Sequence, residues 1–200
     1  MLKRSVLLSV MSATVLFAET GASININEND VEVEGVLDSR NLAILQNSAT
    51  ILQADTNFLN IDGNGKRARL FGAGIGATNA FEGVRGVELT FGAKIVLSSV
   101  DYDDEDTFVA LPLMAKVRYT FPPLLFHIPP VSLEGKILYA PGALAFGDSE
   151  KYSEFRASAD IEMIPNVKIY AGYRNIHTEY IDGGDSVFNN GFYAGLKYSY

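Results

Sequence analysis

From residue 50 onward one pattern recurs: runs of roughly 9–13 residues alternate apolar and polar side chains, and turn clusters separate the runs. A period of two puts one kind of side chain on each face of a strand. Residues 86–98 set Val87, Leu89, Phe91, Ala93, Ile95 and Leu97 against Glu88, Thr90, Lys94 and Ser98. Residues 153–164 set Phe155, Ala157, Ala159, Ile161 and Met163 against Arg156, Ser158, Asp160 and Glu162. Strands of globular sheets are nearer 5–6 residues, whereas a tilted strand crossing a bilayer needs about 9–11. The expected fold is all-β, a closed antiparallel up-and-down transmembrane β-barrel.

Alternating runs at 50–61, 67–78, 86–98, 108–120, 131–139, 153–164, 167–179 and 191–200 give eight strands. A hairpin of 23–27 and 31–38, turned at Glu28-Asn29-Asp30, raises the count to ten. Ten is the expected number and eight the alternative; both are even, as single-chain bacterial barrels require. In the last run Phe192, Ala194, Leu196, Tyr198 and Tyr200 fall on one side, with Tyr193, Gly195, Lys197 and Ser199 on the other. This run is expected to be the closing strand, its apolar face toward lipid and Lys197 facing inward.

Met1-Leu2-Lys3-Arg4, the apolar run 6–17 and Ala18-Glu19 have the three parts of a secretory signal peptide. Residues 1–18 are expected to be removed, leaving 19–200 as the barrel domain, although Leu16 stands where a small residue is preferred at the cleavage site. An N-terminal amphipathic helix is the alternative. The chain has no cysteine, so it offers neither disulfides nor thiolate metal sites. Its net charge of -8 argues against a nucleic-acid partner, whose phosphates call for a basic face. The address these features imply is the outer membrane of a Gram-negative bacterium.

Aromatics gather near the expected strand ends: Phe108, Tyr119 with Phe121, Tyr139, Phe155, Tyr173 with Tyr180, and Phe192 with Tyr198. That is the layout of two girdles around a lipid-facing band. The opposite face carries Glu88, Lys94, Lys116, Arg118, Glu134, Lys136, Arg156, Asp160, Lys168, Arg174 and Lys197, with Glu32, Glu34, Asp55 and Glu162. Inside a narrow barrel these charges must pair or be hydrated. Eight to ten strands leave room for little beyond side chains, so a largely filled interior is expected rather than a wide pore. Counting strands places 147–151, 99–106 and 181–190 outside the cell, and 164–166 and 79–85 on the periplasmic side. The apolar, Pro-rich segment 121–130 is long for a periplasmic turn and is a candidate for the interface or a partner.

The runs 87–97, 108–121 and 131–139, then Ala171-Gly172-Tyr173-Arg174 and 191–200, resemble the YfaZ-like outer-membrane proteins. The likeness runs from about Val84 onward, and Ala171–Arg174 is its most specific piece. The Pro-rich turn 121–130 and the acidic loop 101–106 depart from it. The resemblance implies a small outer-membrane barrel of unestablished biochemical role, with no catalytic or ligand residues to carry over.

Little in the chain looks like catalytic chemistry. His127 lies in the apolar turn; His177 lies near the outer rim, where it would serve a lipid-modifying site with Ser153 or Glu179, and a plain rim histidine is the alternative. The acidic run 101–106 lacks the spacing and glycine of an EF-hand loop and reads as a solvated loop, with loose bridging to lipopolysaccharide cations as the alternative. Gly72-Ala73-Gly74-Ile75-Gly76 lies within a strand and relieves crowding inside the barrel rather than cradling phosphate. No cofactor, metal or catalytic residue is expected. The expected partners are outer-membrane lipid and lipopolysaccharide, with the barrel-assembly machinery during insertion, and the barrel is expected to be a monomer. A structural or surface-interaction role leads, a narrow channel is second, and a lipid A-modifying enzyme third.

Overall fold

A computed structural model describes residues 20–39, 50–63, 66–101, 107–122, 129–181 and 185–199. Their strands are β1 (Thr20–Ile26), β2 (Asp30–Asp38), β3 (Ile51–Gly63), β4 (Lys66–Ala80), β5 (Val87–Asp101), β6 (Thr107–Ala110), β7 (Leu113–Thr120), β8 (Val131–Ala140), β9 (Ala145–Gly147), β10 (Ser149–Ile164), β11 (Val167–Tyr180) and β12 (Asp185–Ser199). Ten of them close a ring in the order β1-β2-β3-β4-β5-β7-β8-β10-β11-β12, and β12 pairs back onto β1. Every neighbouring pair is antiparallel. The hairpin of β1 and β2 pairs from Thr20↔Leu37 to Ile26↔Val31, so the count is ten and not eight.

Two short strands lie outside the ring. β6 pairs with β5 in the register of β7, as Val96↔Ala110 and Ala93↔Leu113 show. The break between them falls at Leu111-Pro112, where proline has no N–H to give the ladder; its carbonyl still accepts from the Lys94 N–H at 2.9 Å. β9 pairs with β6 after a single 3-10 turn, Gly142–Leu144, at the top of β8.

One end of the barrel, here called terminal, carries both ends of the described chain and the connections after β2, β4, β7 and β10. The other, distal end carries the remaining connections. Turn chemistry accounts for the tight ones. Between β1 and β2 the Asn27 Oδ1 accepts from the backbone N–H of Asn29 at 2.7 Å and of Asp30 at 2.9 Å. Between β10 and β11, Pro165-Asn166 needs a positive φ, 71° at Asn166, which asparagine tolerates.

Polarity is inverted relative to a soluble protein. Ile75, Phe91, Leu113, Ile137 and Phe192 face outward with 70, 64, 61, 53 and 81 % exposure, and the outer wall is apolar along most strands. A continuous apolar surface of this extent belongs in lipid. Inside, the distal half is an apolar core of Leu59, Leu70, Val96, Leu138, Ile176 and Phe188, and the terminal half is polar.

The expected girdles need two corrections. Phe108 points inward and is buried against Tyr152, Tyr180 and Phe188, with ring centroids 6.0, 6.2 and 5.7 Å away. Its even number puts it on the luminal face of its strand. Phe192 sits at mid-strand rather than near an end, because β12 begins at Asp185. For the same reason the connections expected at 181–190 and 147–151 are shorter than the sequence pattern indicates. Residues 1–18, His127, most of the acidic loop 101–106 and Tyr200 lie outside the described residues.

Candidate functional site

The charged interior is organised by register. Lys116 stands opposite Lys136, Lys136 opposite Arg156, and Arg156 opposite Arg174, so one row of cations crosses β7, β8, β10 and β11. Like charges directly opposite repel. For Arg156 and Arg174 the counter-charges come from β2, across the lumen.

Arg174 donates from Nη2 to Asp30 at 2.6 Å and from Nη1 to Glu32. Arg156 donates from Nη2 to Glu32 at 2.8 Å, from Nη1 to Glu34 at 2.8 Å, and from Nε to Glu154 on its own strand. Glu32 also accepts from Asn57 at 2.7 Å and Asn25 at 3.1 Å, and Asn189 donates to Asp30. Tyr152 donates to Glu154 at 2.7 Å, which ties this network to the apolar core above it. Arg174 also lies 5.3 Å from the Tyr193 ring centroid, a cation–π distance. Arg174 and Glu32 have no solvent exposure. Buried charges persist only when each is paired and hydrogen-bonded, and here both are.

A second pair depends on glycine. Lys94 on β5 lies across β4 to reach Asp55 on β3, at 2.5 Å. A Cβ at Gly72 would collide with the Lys94 chain, and one at Gly74 would lie 2.8 Å from Asp55 Oδ1. The glycine stripe clears a path for this ion pair. Nearer the terminal end Arg118 pairs with Glu134 at 3.1 Å and Asp160 at 2.6 Å, and Lys168 lies 4.0 Å from Asp160. Lys116 donates to Gln53 at 3.4 Å. Lys136 and Lys197 line a small cavity beside it, and Glu88 lines the wider cup that follows. This cup, of about 420 Å3, is lined by Gly21, Asp38, Glu162 and Ser199, all near the terminal end.

The interior charges expected from the sequence face the lumen, and the network that crosses it adds two acids outside the expected set, Asp30 and Glu154. Asp30 sits where the turn was expected, and Glu154 falls before the alternation becomes clear at Phe155. Extending the period of Arg156 back by two residues would have found Glu154. In the closing strand, Phe192, Leu196 and Tyr198 face outward and Ala194 shares their side.

The rim residues considered for catalysis do come together on the outer wall. Ser153 is the cross-strand partner of His177, whose Nε2 lies 3.8 Å from Glu179. Among the described residues no hydrogen bond joins Ser153 to His177. Glu179 instead accepts from Lys151 at 2.5 Å.

A closed ring of long strands, apolar outside and ionic within, defines a transmembrane β-barrel. The chain belongs to the YfaZ family: the family model described as YfaZ precursor matches residues 5–200. It is an outer-membrane barrel protein. No curated protein matches the sequence. Among solved structures, the outer membrane channel DcaP of Acinetobacter baumannii superimposes with a TM-score of 0.40 at 10 % identity, over 91 % of this chain and 72 % of that one. A chain from work on the in-meso crystallization of membrane proteins gives 0.40 at 10 %, over 92 % and 83 %.

Proposed function

We propose that the protein is a non-conducting barrel of a Gram-negative outer membrane, exported with a cleaved signal peptide, whose role is structural or surface-interacting. The observation that carries this reading is the filled lumen. Leu59, Leu70, Ile176, Glu32 and Arg174 are fully buried inside the ring, so side chains rather than water occupy its cross-section. A continuous aqueous path would leave them wet. The outer surface then remains for contacts. Lys151 projects outward at the distal rim, at headgroup height for a lipopolysaccharide leaflet, and a partly exposed ammonium there suits its phosphates. In this reading the barrel is a monomer, meets the barrel-assembly machinery during insertion, uses no cofactor and is not an enzyme.

Planar-bilayer recordings on the purified barrel test it. The expected result is no steady conductance. A steady conductance that changes with Lys116→Gln or Arg118→Gln would establish the channel reading instead. Lipid A mass spectra that are unchanged on deletion and overexpression are expected as well; a new lipid A species would transfer attention to Ser153, His177 and Glu179.

A further inference from the structure

Five cations of the described lumen have a carboxylate within 4.0 Å: Lys94, Arg118, Arg156, Lys168 and Arg174. Among the described residues Lys116, Lys136 and Lys197 have none. All three line one cavity of about 110 Å3. Of the acids on its wall, Glu34 pairs with Arg156, Asp55 with Lys94, Asp160 with Arg118, and Glu134 with Arg118 as well. Each wall carboxylate thus has its closest ion pair with a cation other than these three lysines.

Register brings the lysines together. Lys116 and Lys136 are direct cross-strand neighbours on the luminal face, and Lys197 enters from β12. Their repulsion persists unless an anion lies among them. A water occupies roughly 30 Å3, so the cavity has the volume of one small oxyanion with little water beside it. Access is from one side alone. Lys116, Lys197 and Glu134 line both this cavity and the 420 Å3 cup at the terminal end, and the apolar core closes the distal direction.

The geometry points to an anion-binding site in the lumen: Lys116, Lys136 and Lys197 take a small dianionic oxyanion of the phosphate type, entering from the terminal end. Three ammonium groups match three oxygens of such an ion, each by a charge-assisted hydrogen bond. The site goes beyond the closed-barrel reading, because a sealed lumen does not by itself require a ligand.

The test is the melting temperature of the full barrel in detergent, at fixed ionic strength, as sodium phosphate replaces sodium chloride. A parallel series uses sodium acetate. A saturable rise is expected with phosphate and none with acetate. Lys136→Gln with Lys197→Gln should raise the phosphate half-saturation by about tenfold or more, the worth of lost charge-assisted hydrogen bonds. Arginine at both positions should retain binding, and Arg67→Gln, on the outer wall, should not alter it. A flat wild-type response, an equal rise in acetate, or an unshifted half-saturation in the glutamine variant overturns the proposal. The wild-type comparison decides even where the glutamine variant does not fold. Bilayer conductance answers separately for the closed-barrel reading, so the two can fail independently.

Discussion

In the distal half of the lumen Leu59 faces Leu70 and three aromatic rings crowd around Phe108, whereas in the terminal half Arg156 and Arg174 reach across to Asp30, Glu32 and Glu34. Both halves fill a ring of the same strands, and they do so by different physics. The apolar half is held by close packing, where loss of a side chain leaves a void. The ionic half is held by complementarity, where loss of one partner leaves a charge without solvent. The first closes the barrel without preference for what lies opposite. The second requires particular strands to be opposite one another, and leaves room for a cup at the terminal end.

The largest expected effect comes from breaking the ionic half. Arg174→Met takes the arginine from Asp30 and one of two from Glu32, and should cost about 3–5 kcal/mol in urea unfolding of the reconstituted barrel. Adding Asp30→Asn and Glu32→Gln to the same chain should restore much of that stability; if it does not, the pair is not what limits this half. Leu59→Ala attacks the apolar half and should cost about 3 kcal/mol by the same measurement. Its bilayer trace should stay silent, because the arginine network seals the lumen on its own. A conducting Leu59→Ala barrel would show instead that the apolar half is the sole seal.

Smaller effects sharpen the boundary between packing and polar contact. Tyr170 lies over Gly195, and a Cβ there would stand 2.7 Å from its hydroxyl. Gly195→Ala should therefore cost about 1–3 kcal/mol through overpacking, read as a lower unfolding midpoint. Smallest is the exposed Lys151–Glu179 pair. Glu179→Gln should leave the midpoint at pH 7 nearly unchanged, because an ion pair that solvent reaches contributes little.

Much of the fold can be read along the chain because a membrane barrel is a local object. Alternation at period two tells which side of each strand meets lipid, and that reading places Phe91, Leu113, Ile137 and Phe192 on the outer wall where they are observed. The hairpin at Glu28-Asn29-Asp30 is visible from its turn residues, and with it the ten-strand count. Depth is less visible. Phe108 obeys the luminal parity of its strand, yet an aromatic near a strand end also looks like a girdle residue. Nothing local distinguishes the two until Tyr152, Tyr180 and Phe188 arrive from other strands.

Sequence alone determined the strands, their number within two, the polarity of each face and the family. These follow from backbone geometry and from the solvent on either side, both of which act residue by residue. Tertiary structure alone decided that the lumen has an apolar half and an ionic half, that Arg174 meets Asp30 and Glu32 across 142 to 144 residues of chain, and that Lys116, Lys136 and Lys197 line one cavity. A side chain's direction is local, but its partner depends on the register of every strand around the ring. Only closure of β12 onto β1 sets that register as a whole.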